Sequence, residues 1–384
     1  MLSMASSRYR QADRRFTWLV GLTLLLSVAV IALGAYTRLT EAGLGCPDWP
    51  GCYGFMTVPK TDAQHALAQQ AFPDHPVEVH KAWNEMIHRY MAGALGLLIV
   101  ALNVLARRRD DRPRRLPLVL LGLVVFQALL GMWTVTMSLK PVIVMGHLLG
   151  GFTTASLLLV LWLRMLLRHR KRPATAGASS SQLVSVRRLA VAGLIVVAVQ
   201  IALGGWTAAN YAAVVCTQLP VCEVDWVSKF DIRAFEPWQP GFQTYQYGVL
   251  NFDQRVSIHA AHRIGAMLTT LVILLLVWRL WHIGWRRYAV LILALLSVQI
   301  ALGVTNVLAS LPLPVAVAHN LGGLSLLLSV LAANWSLLMA PAAVSVSRAA
   351  PIPRVKTVRH ALIRAQAGTH GRQTHFGRMT PKSG

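Results

Sequence analysis

Apolar runs about twenty residues long, parted by short polar connections, dominate the chain. Eight stand out, at residues 17–37, 86–106, 116–137, 141–163, 189–210, 259–280, 288–309 and 314–340. A helix rises about 1.5 Å per residue, so each run is long enough to cross roughly 30 Å of hydrocarbon. The pattern predicts an all-α integral membrane protein with eight transmembrane helices.

Composition agrees with that pattern. With 55% apolar and 13% charged residues, the chain has too little charge to cover a soluble surface. A net charge of +23 invites a nucleic-acid reading, but the basic residues sit between helices. Segments 8–15, 107–115, 164–188, 279–287 and the tail from residue 348 hold 28 of the 37 Lys and Arg. These are alternate connections, so the positive-inside rule places them in the cytoplasm and argues against a nucleic-acid partner. Both termini go with them: an N-terminal segment, 1–16, and a basic tail, 341–384, that reads as disordered.

The opposite face then carries two long loops, about 38–85 and 208–258, and all four cysteines, Cys46, Cys52, Cys216 and Cys222. Cysteines in paired spacing on that face stand in a disulfide-permissive compartment. The first apolar run, with Arg14 and Arg15 before it and small residues near Ala35, has the look of a cleaved signal. It is read as a retained helix, because its end recurs inside the chain.

The recurrence is extensive. ALGAYTRLTEAGLGCPDWPGC, residues 32–52, aligns without a gap on ALGGWTAANYAAVVCTQLPVC, residues 202–222. Gln127-Ala-Leu-Leu-Gly131 matches Gln299-Ile-Ala-Leu-Gly303, and 20 residues after each glutamine stands a histidine followed by a glycine pair, at His147 and His319. His88-Arg89 matches His262-Arg263 between them. The chain therefore reads as two tandem four-helix bundles, 17–165 and 189–340, joined by a cytoplasmic linker, 166–188. Four is even, so both bundles share one orientation about an axis along the membrane normal.

Most of the 13 histidines have plain readings. His360, His370 and His375 lie in the tail, His169 and His282 at cytoplasmic helix ends, and His65, His75 and His80 in a polar loop. His88, His147, His262 and His319 differ, because an ionisable group inside an apolar segment is a functional candidate. Each lies near the outer start of a helix, so the two members of each pair sit at similar depth. Two neutral imidazoles facing each other across a four-helix bundle are the axial ligation expected of a haem. The plain alternative is hydrogen bonding between helices. Zinc or copper fits less well, since no carboxylate or third histidine recurs to complete a site.

Other residues gather around these pairs with two readings each. Gly150, Gly151, Gly322 and Gly323 either let a flat macrocycle approach the backbone or permit close helix packing. Arg89 and Arg263 either fork onto haem propionates or snorkel to lipid headgroups. Three positions before the first histidine the halves diverge, with Glu85 in one and His259 in the other. Glu85 shares a helix face with His88 and points to the rim of that site, or else it caps the helix. Asn84, Trp83 and Thr37 are further rim positions.

These residues, Glu85-Met-Ile-His88-Arg89, the two His-x-Leu-Gly-Gly segments, His262-Arg263, the TRLTEAGLGCPDWPGC loop and the duplication, together resemble the haem A synthase family over about residues 17–340. The resemblance implies an enzyme of the bacterial inner membrane that oxidises the C8 methyl of haem O to a formyl group, giving haem A for cytochrome c oxidase. It implies that His262 and His319 ligate a resident haem b and that His88 and His147 face the substrate haem O. Glu85 matches a glutamate needed for activity, Cys46 and Cys52 a pair implicated in turnover, and Cys216 and Cys222 a second pair.

The chemistry implied is two successive hydroxylations, to an alcohol and then a gem-diol that loses water, with Glu85 moving protons or stabilising charge. Partners implied are an electron donor such as quinol and a haem O synthase, with membrane lipid around the chain and a homo-oligomer left open. Each cysteine pair is either a brace or, for Cys46 and Cys52, a redox pair. Three rivals stand beside this reading. A di-haem b cytochrome for electron transfer leaves Glu85 unexplained, and a thiol/quinone oxidoreductase using the outer cysteines leaves the histidines unexplained. A haem transporter or assembly partner would do no chemistry, its tail binding anionic lipid or a haem O-producing partner.

Overall fold

A computed structural model of the chain describes residues 2–168 and 180–340, with side chains from residue 13 onward. The centre of the linker and the basic tail, with His169, His360, His370 and His375, lie outside the described residues. Within them are nine α-helices: α1 (Leu2–Leu39), α2 (Asp62–Ala71), α3 (Val79–Arg107), α4 (Arg115–Thr136), α5 (Pro141–Leu167), α6 (Ser180–Ala209), α7 (Phe252–His282), α8 (Arg286–Leu308) and α9 (Leu313–Met339). All but α2 are long and apolar enough to cross a membrane, and together they make the chain a multi-pass membrane protein.

The eight long helices coincide with the eight apolar runs but overshoot them where polar residues continue the helix. α6 starts at Ser180 rather than residue 189. Arg187, inside that extension, donates from Nε to the Leu337 carbonyl at 2.9 Å and from Nη2 to that of Ala340 at 2.8 Å, satisfying orphan carbonyls at the end of α9. Hydropathy also misses α2, a short helix in the first long loop that carries His65. Its signal is a capping box: Thr61 accepts from the Gln64 N–H, and the Gln64 side chain returns to the backbone N–H of Thr61.

The helices close into two rings. α1 packs on α3 and α5, and α4 completes the ring by touching α3 and α5. α6, α7, α8 and α9 repeat the arrangement in the same order. α5 lies against α6 and α9, and α1 against α9, so the two rings form one compact unit.

Each ring is packed unevenly along its length. One end of the first holds Phe16, Val20, Ile99, Leu102, Leu120, Leu158 and Leu161, and the same end of the second holds Ile273, Leu276, Leu280, Ile292, Val330 and Leu337. Lipid is as apolar as leucine, so close contact rather than exclusion of water holds these ends. Buried amides tie them further, Asn103 to the Pro117 carbonyl at 2.7 Å and Asn334 to that of Ala190 at 2.8 Å. Asp13, 5% exposed, lies within 3.4 to 3.8 Å of Arg109, Arg112 and Arg168, joining α1 to the α3–α4 connection and the end of α5.

At the other end the long loops fold back over the helices. Arg38 donates to the Ala208 carbonyl at 2.9 Å with its guanidinium 4.0 Å above the Tyr211 ring. Positions 38 and 208 correspond in the duplication, so this bond joins the halves where their repeats meet. The Tyr245 N–H donates to the Ser138 carbonyl at 2.9 Å, laying the second-half loop on the α4–α5 turn.

Candidate functional site

At the loosely packed end the four histidines are arranged in two matching pairs. The rings of His88 on α3 and His147 on α5 are 6.4 Å apart between centroids and nearly perpendicular, at 87°. Glycine makes room for each. A Cβ at Gly34 on α1 would stand 2.9 Å from His88 Cε1, and one at Gly131 on α4 would stand 3.5 Å from His147 Cε1. The second half repeats this, with Gly204 at 2.9 Å from His262 and Gly303 at 3.1 Å from His319. His262 also lies within electrostatic reach of His319.

The surroundings are those of a space between helices. A helix packed on one side alternates buried and exposed positions, yet residues 142–151 of α5 and 317–323 of α9, the turns that carry His147 and His319, are half-buried on every face. Nδ1 of His88, His147 and His319 is buried and engages no side chain, and the rings lie against the backbone of Val30, Gln127 and Gln299 respectively. His262 differs, its Nδ1 bonded to Gln200 Nε2 at 3.0 Å, which leaves Nε2 for a ligand. Val30 occupies the corresponding first-half position.

Two glutamines belong to these sites and were passed over as site residues. A Cβ at Gly150 would fall 1.6 Å from Gln127 Nε2, and one at Gly322 would fall 2.2 Å from Gln299 Oε1. The glycines following each second histidine thus admit a glutamine side chain from the neighbouring helix, which favours the packing role over approach of a macrocycle. Gln299 Nε2 also lies 3.4 Å from His319 Nε2. The available signal was a polar residue inside an apolar run, repeated in both halves.

Glu85 is 5% exposed and sits well inside α3, which starts at Val79, so it caps nothing. Its Oε2 accepts the Cys46 backbone N–H at 2.9 Å, and its Oε1 pairs with Arg89 Nη2 at 2.5 Å. Arg89 is correspondingly engaged. Nη1 donates to the carbonyls of Asp48 at 3.0 Å and Pro50 at 3.3 Å, and also to that of Gly51. Its fork therefore grips the first cysteine loop instead of standing free for a propionate or lipid headgroup.

The second half repeats the grip at the corresponding positions. Arg263 Nη1 donates to the carbonyls of Gln218 and Val221, Nη2 to that of Cys216 at 2.6 Å, and Nε to His259 Nε2 at 3.1 Å. His259 thus stands where Glu85 does, as a neutral acceptor.

Both loops are closed by disulfides, Cys46–Cys52 and Cys216–Cys222. Each is stiffened by one carboxylate. Asp48 accepts from the N–H groups of Tyr53 at 2.6 Å and Gly54 at 2.8 Å. Glu223 accepts from those of Thr217 and Gln218 and from the Thr217 hydroxyl, and its own backbone N–H together with these bonds holds its carboxyl down at about 2. Burial pushes the Tyr53 phenol up to about 12, and its hydroxyl donates to the Pro76 carbonyl at 3.1 Å. Cys46 and Cys52 are 0% exposed, so the first disulfide faces no solvent. Of the remaining rim candidates, Thr37 donates weakly to the Asn84 carbonyl at 3.4 Å, and Trp83 lies under Lys60.

Comparison with known proteins bears on this geometry. Residues 17–331 match the COX15-CtaA family, described as cytochrome oxidase assembly protein. The chain belongs to that family. It is 48% identical over 325 residues to the Heme A synthase of Shewanella oneidensis, covering 84% of this chain and 97% of the relative. The Heme A synthase of Allorhizobium ampelinum is 30% identical over 351 residues, covering 84% and 89%, and that of Methylobacterium radiotolerans 28% over 354, covering 85% and 90%. This COX15-CtaA chain shares nearly the full length of each, so both duplicated halves fall within the similarity.

Proposed function

We propose that this chain is a haem A synthase that oxidises the C8 methyl of haem O to a formyl group, and that the substrate lies in the first bundle. The observation that carries the reading is the pairing of His88 with His147 at 6.4 Å, one helical turn from a buried carboxylate that the other half lacks. Two imidazoles at that separation, each lodged against a helical glycine, would be able to hold a haem iron between them. The relatives' shared name supports the substrate, and the duplicated histidines support a second haem.

In this reading His262 and His319 hold a resident haem b, which stores and passes single electrons when bound. His88 and His147 orient haem O. The methyl is hydroxylated twice, to the alcohol and then to a gem-diol that loses water, with electrons from a membrane donor such as quinol and with dioxygen as the oxygen source. Glu85 is held in place, the Cys46 N–H on one oxygen and the Arg89 guanidinium on the other, so it stands as a positioned proton carrier beside the substrate. The cysteine rings brace the carbonyls that Arg89 and Arg263 grip, with the cysteine loops facing away from the cytoplasm.

Extraction and chromatography of the haems from purified protein tests this. Haem B together with haem O, haem A or a hydroxylated intermediate is the expected result. Two equivalents of haem B alone would favour an electron-transfer cytochrome, and no haem at all would overturn both readings. A thiol/quinone oxidoreductase finds no support in a first disulfide sealed from solvent.

A further inference from the structure

With Arg89 and Arg263 holding loops, the carboxylates of a bound porphyrin need other cations. This inference rests on the haem-binding reading above. A porphyrin between the paired histidines carries its two acidic arms at one edge, and charged arms favour the nearer polar boundary. That boundary is the start of α3 and α7, since His88 and His262 lie in the early turns of those helices.

Seven residues before His262 on α7 stands Arg255, and seven before His88 on α3 stands Lys81. Seven residues is nearly two full helical turns, so each cation lies on its histidine's face, about 10 Å nearer the helix start. The two positions are counterparts in the duplication, yet their partners differ. Lys81 Nζ is held by Glu78, at 3.0 Å from Oε1 and 2.9 Å from Oε2. Among the described residues no carboxylate pairs with Arg255, and its Nε is buried with no hydrogen-bond partner. A half-buried guanidinium lacking an anion has a fork suited to bidentate capture of a carboxylate.

We propose that Arg255 is the carboxylate anchor of the porphyrin held by His262 and His319, and that Lys81 occupies the same station in the first bundle under restraint by Glu78. The difference suits the two roles. A resident group gains from a free, rigid fork. A substrate that must leave as product is better served by an ammonium already shared with an acid.

The test is absorbance titration of the full-length, detergent-solubilised chain carrying His88→Ala, so that only the second histidine pair ligates, with ferric protoporphyrin IX and with its dimethyl ester. The ester keeps the ring and iron but has no carboxylate charge. The parent is expected to bind the free acid roughly tenfold or more tightly than the ester, the scale of one charge-assisted bond. Arg255→Gln should erase that preference while leaving ester affinity unchanged, and Arg255→Lys should restore part of it. An unchanged acid-to-ester ratio in Arg255→Gln would overturn the proposal, as would equal loss of both ligands, which marks a structural role. If the parent bound neither porphyrin, the haem-binding reading itself would fall.

Discussion

The backbone N–H of Cys46 donates to Glu85 Oε2 at 2.9 Å, across 39 positions of sequence, so the ring that closes at Cys52 sets the placement of the buried carboxylate. Loop, disulfide and acid are therefore one mechanical unit, with Arg89 as its bolt.

Removing the acid should separate binding from chemistry. Glu85→Ala leaves both histidine pairs intact, so it should keep its haems while accumulating haem O or a hydroxylated intermediate, as seen by haem extraction. Normal haem A output from this variant would remove Glu85 from the reaction.

Opening the ring should act through the same acid. Cys46→Ser removes a crosslink over a short loop, worth about 2 kcal/mol in a chain-entropy estimate. The bracing role predicts weaker haem retention in the first bundle together with reduced output, whereas full haem retention with no output would indicate a redox role for the pair. Cys216→Ser should disturb the second site alone.

Lysine cannot replace the arginine bolts, because one ammonium cannot span carbonyls and a carboxylate that a planar fork reaches together. Arg89→Lys should speed reduction of Cys46–Cys52 by a membrane-impermeant phosphine and leave Cys216–Cys222 unaffected, and Arg263→Lys should do the reverse. Thiol labelling with peptide mass mapping reads both.

A methyl at Gly204 would stand 2.9 Å from Cε1 of the His262 ring, which Gln200 holds through Nδ1 at 3.0 Å. Gly204→Ala should lower the haem content of the second bundle and spare the first, halving the Soret absorbance of purified protein. Gly34→Ala should do the same to the first.

Acid should spare the second loop longer than an ordinary carboxylate brace would. The Glu223 pKa is lowered to about 2 from its usual 4.5, so the brace is fully present above the unfolded value and is lost only as pH falls through about 2. Hydrogen exchange by mass spectrometry should show the 217–218 amides protected at pH 4, and Glu223→Gln should remove this acid dependence.

The duplication was legible because both copies repeat the same marks in the same order, from Ala-Leu-Gly through the cysteines to the paired histidines. The eight spans were legible because hydropathy over about twenty residues is a local property. α2 was missed because ten residues of mixed polarity carry no such signal, although Thr61 and Gln64 spell out its cap. Arg89 looked free for a propionate because helical spacing says which face a side chain shares, not what a distant loop brings to that face.

By itself, then, the sequence determined the number and place of the membrane helices, their repetition, and the matching places of four histidines along them. Those follow from spacing along single helices, where neighbours at three, four or seven positions are fixed by the helix itself. Only the tertiary structure decided that Arg89 and Arg263 clamp the cysteine loops, that Gly150 and Gly322 admit glutamines, and that no carboxylate among the described residues pairs with Arg255. Those depend on which carbonyls and side chains a folded loop or neighbouring helix presents from 20 to 47 positions away, and no local periodicity encodes that.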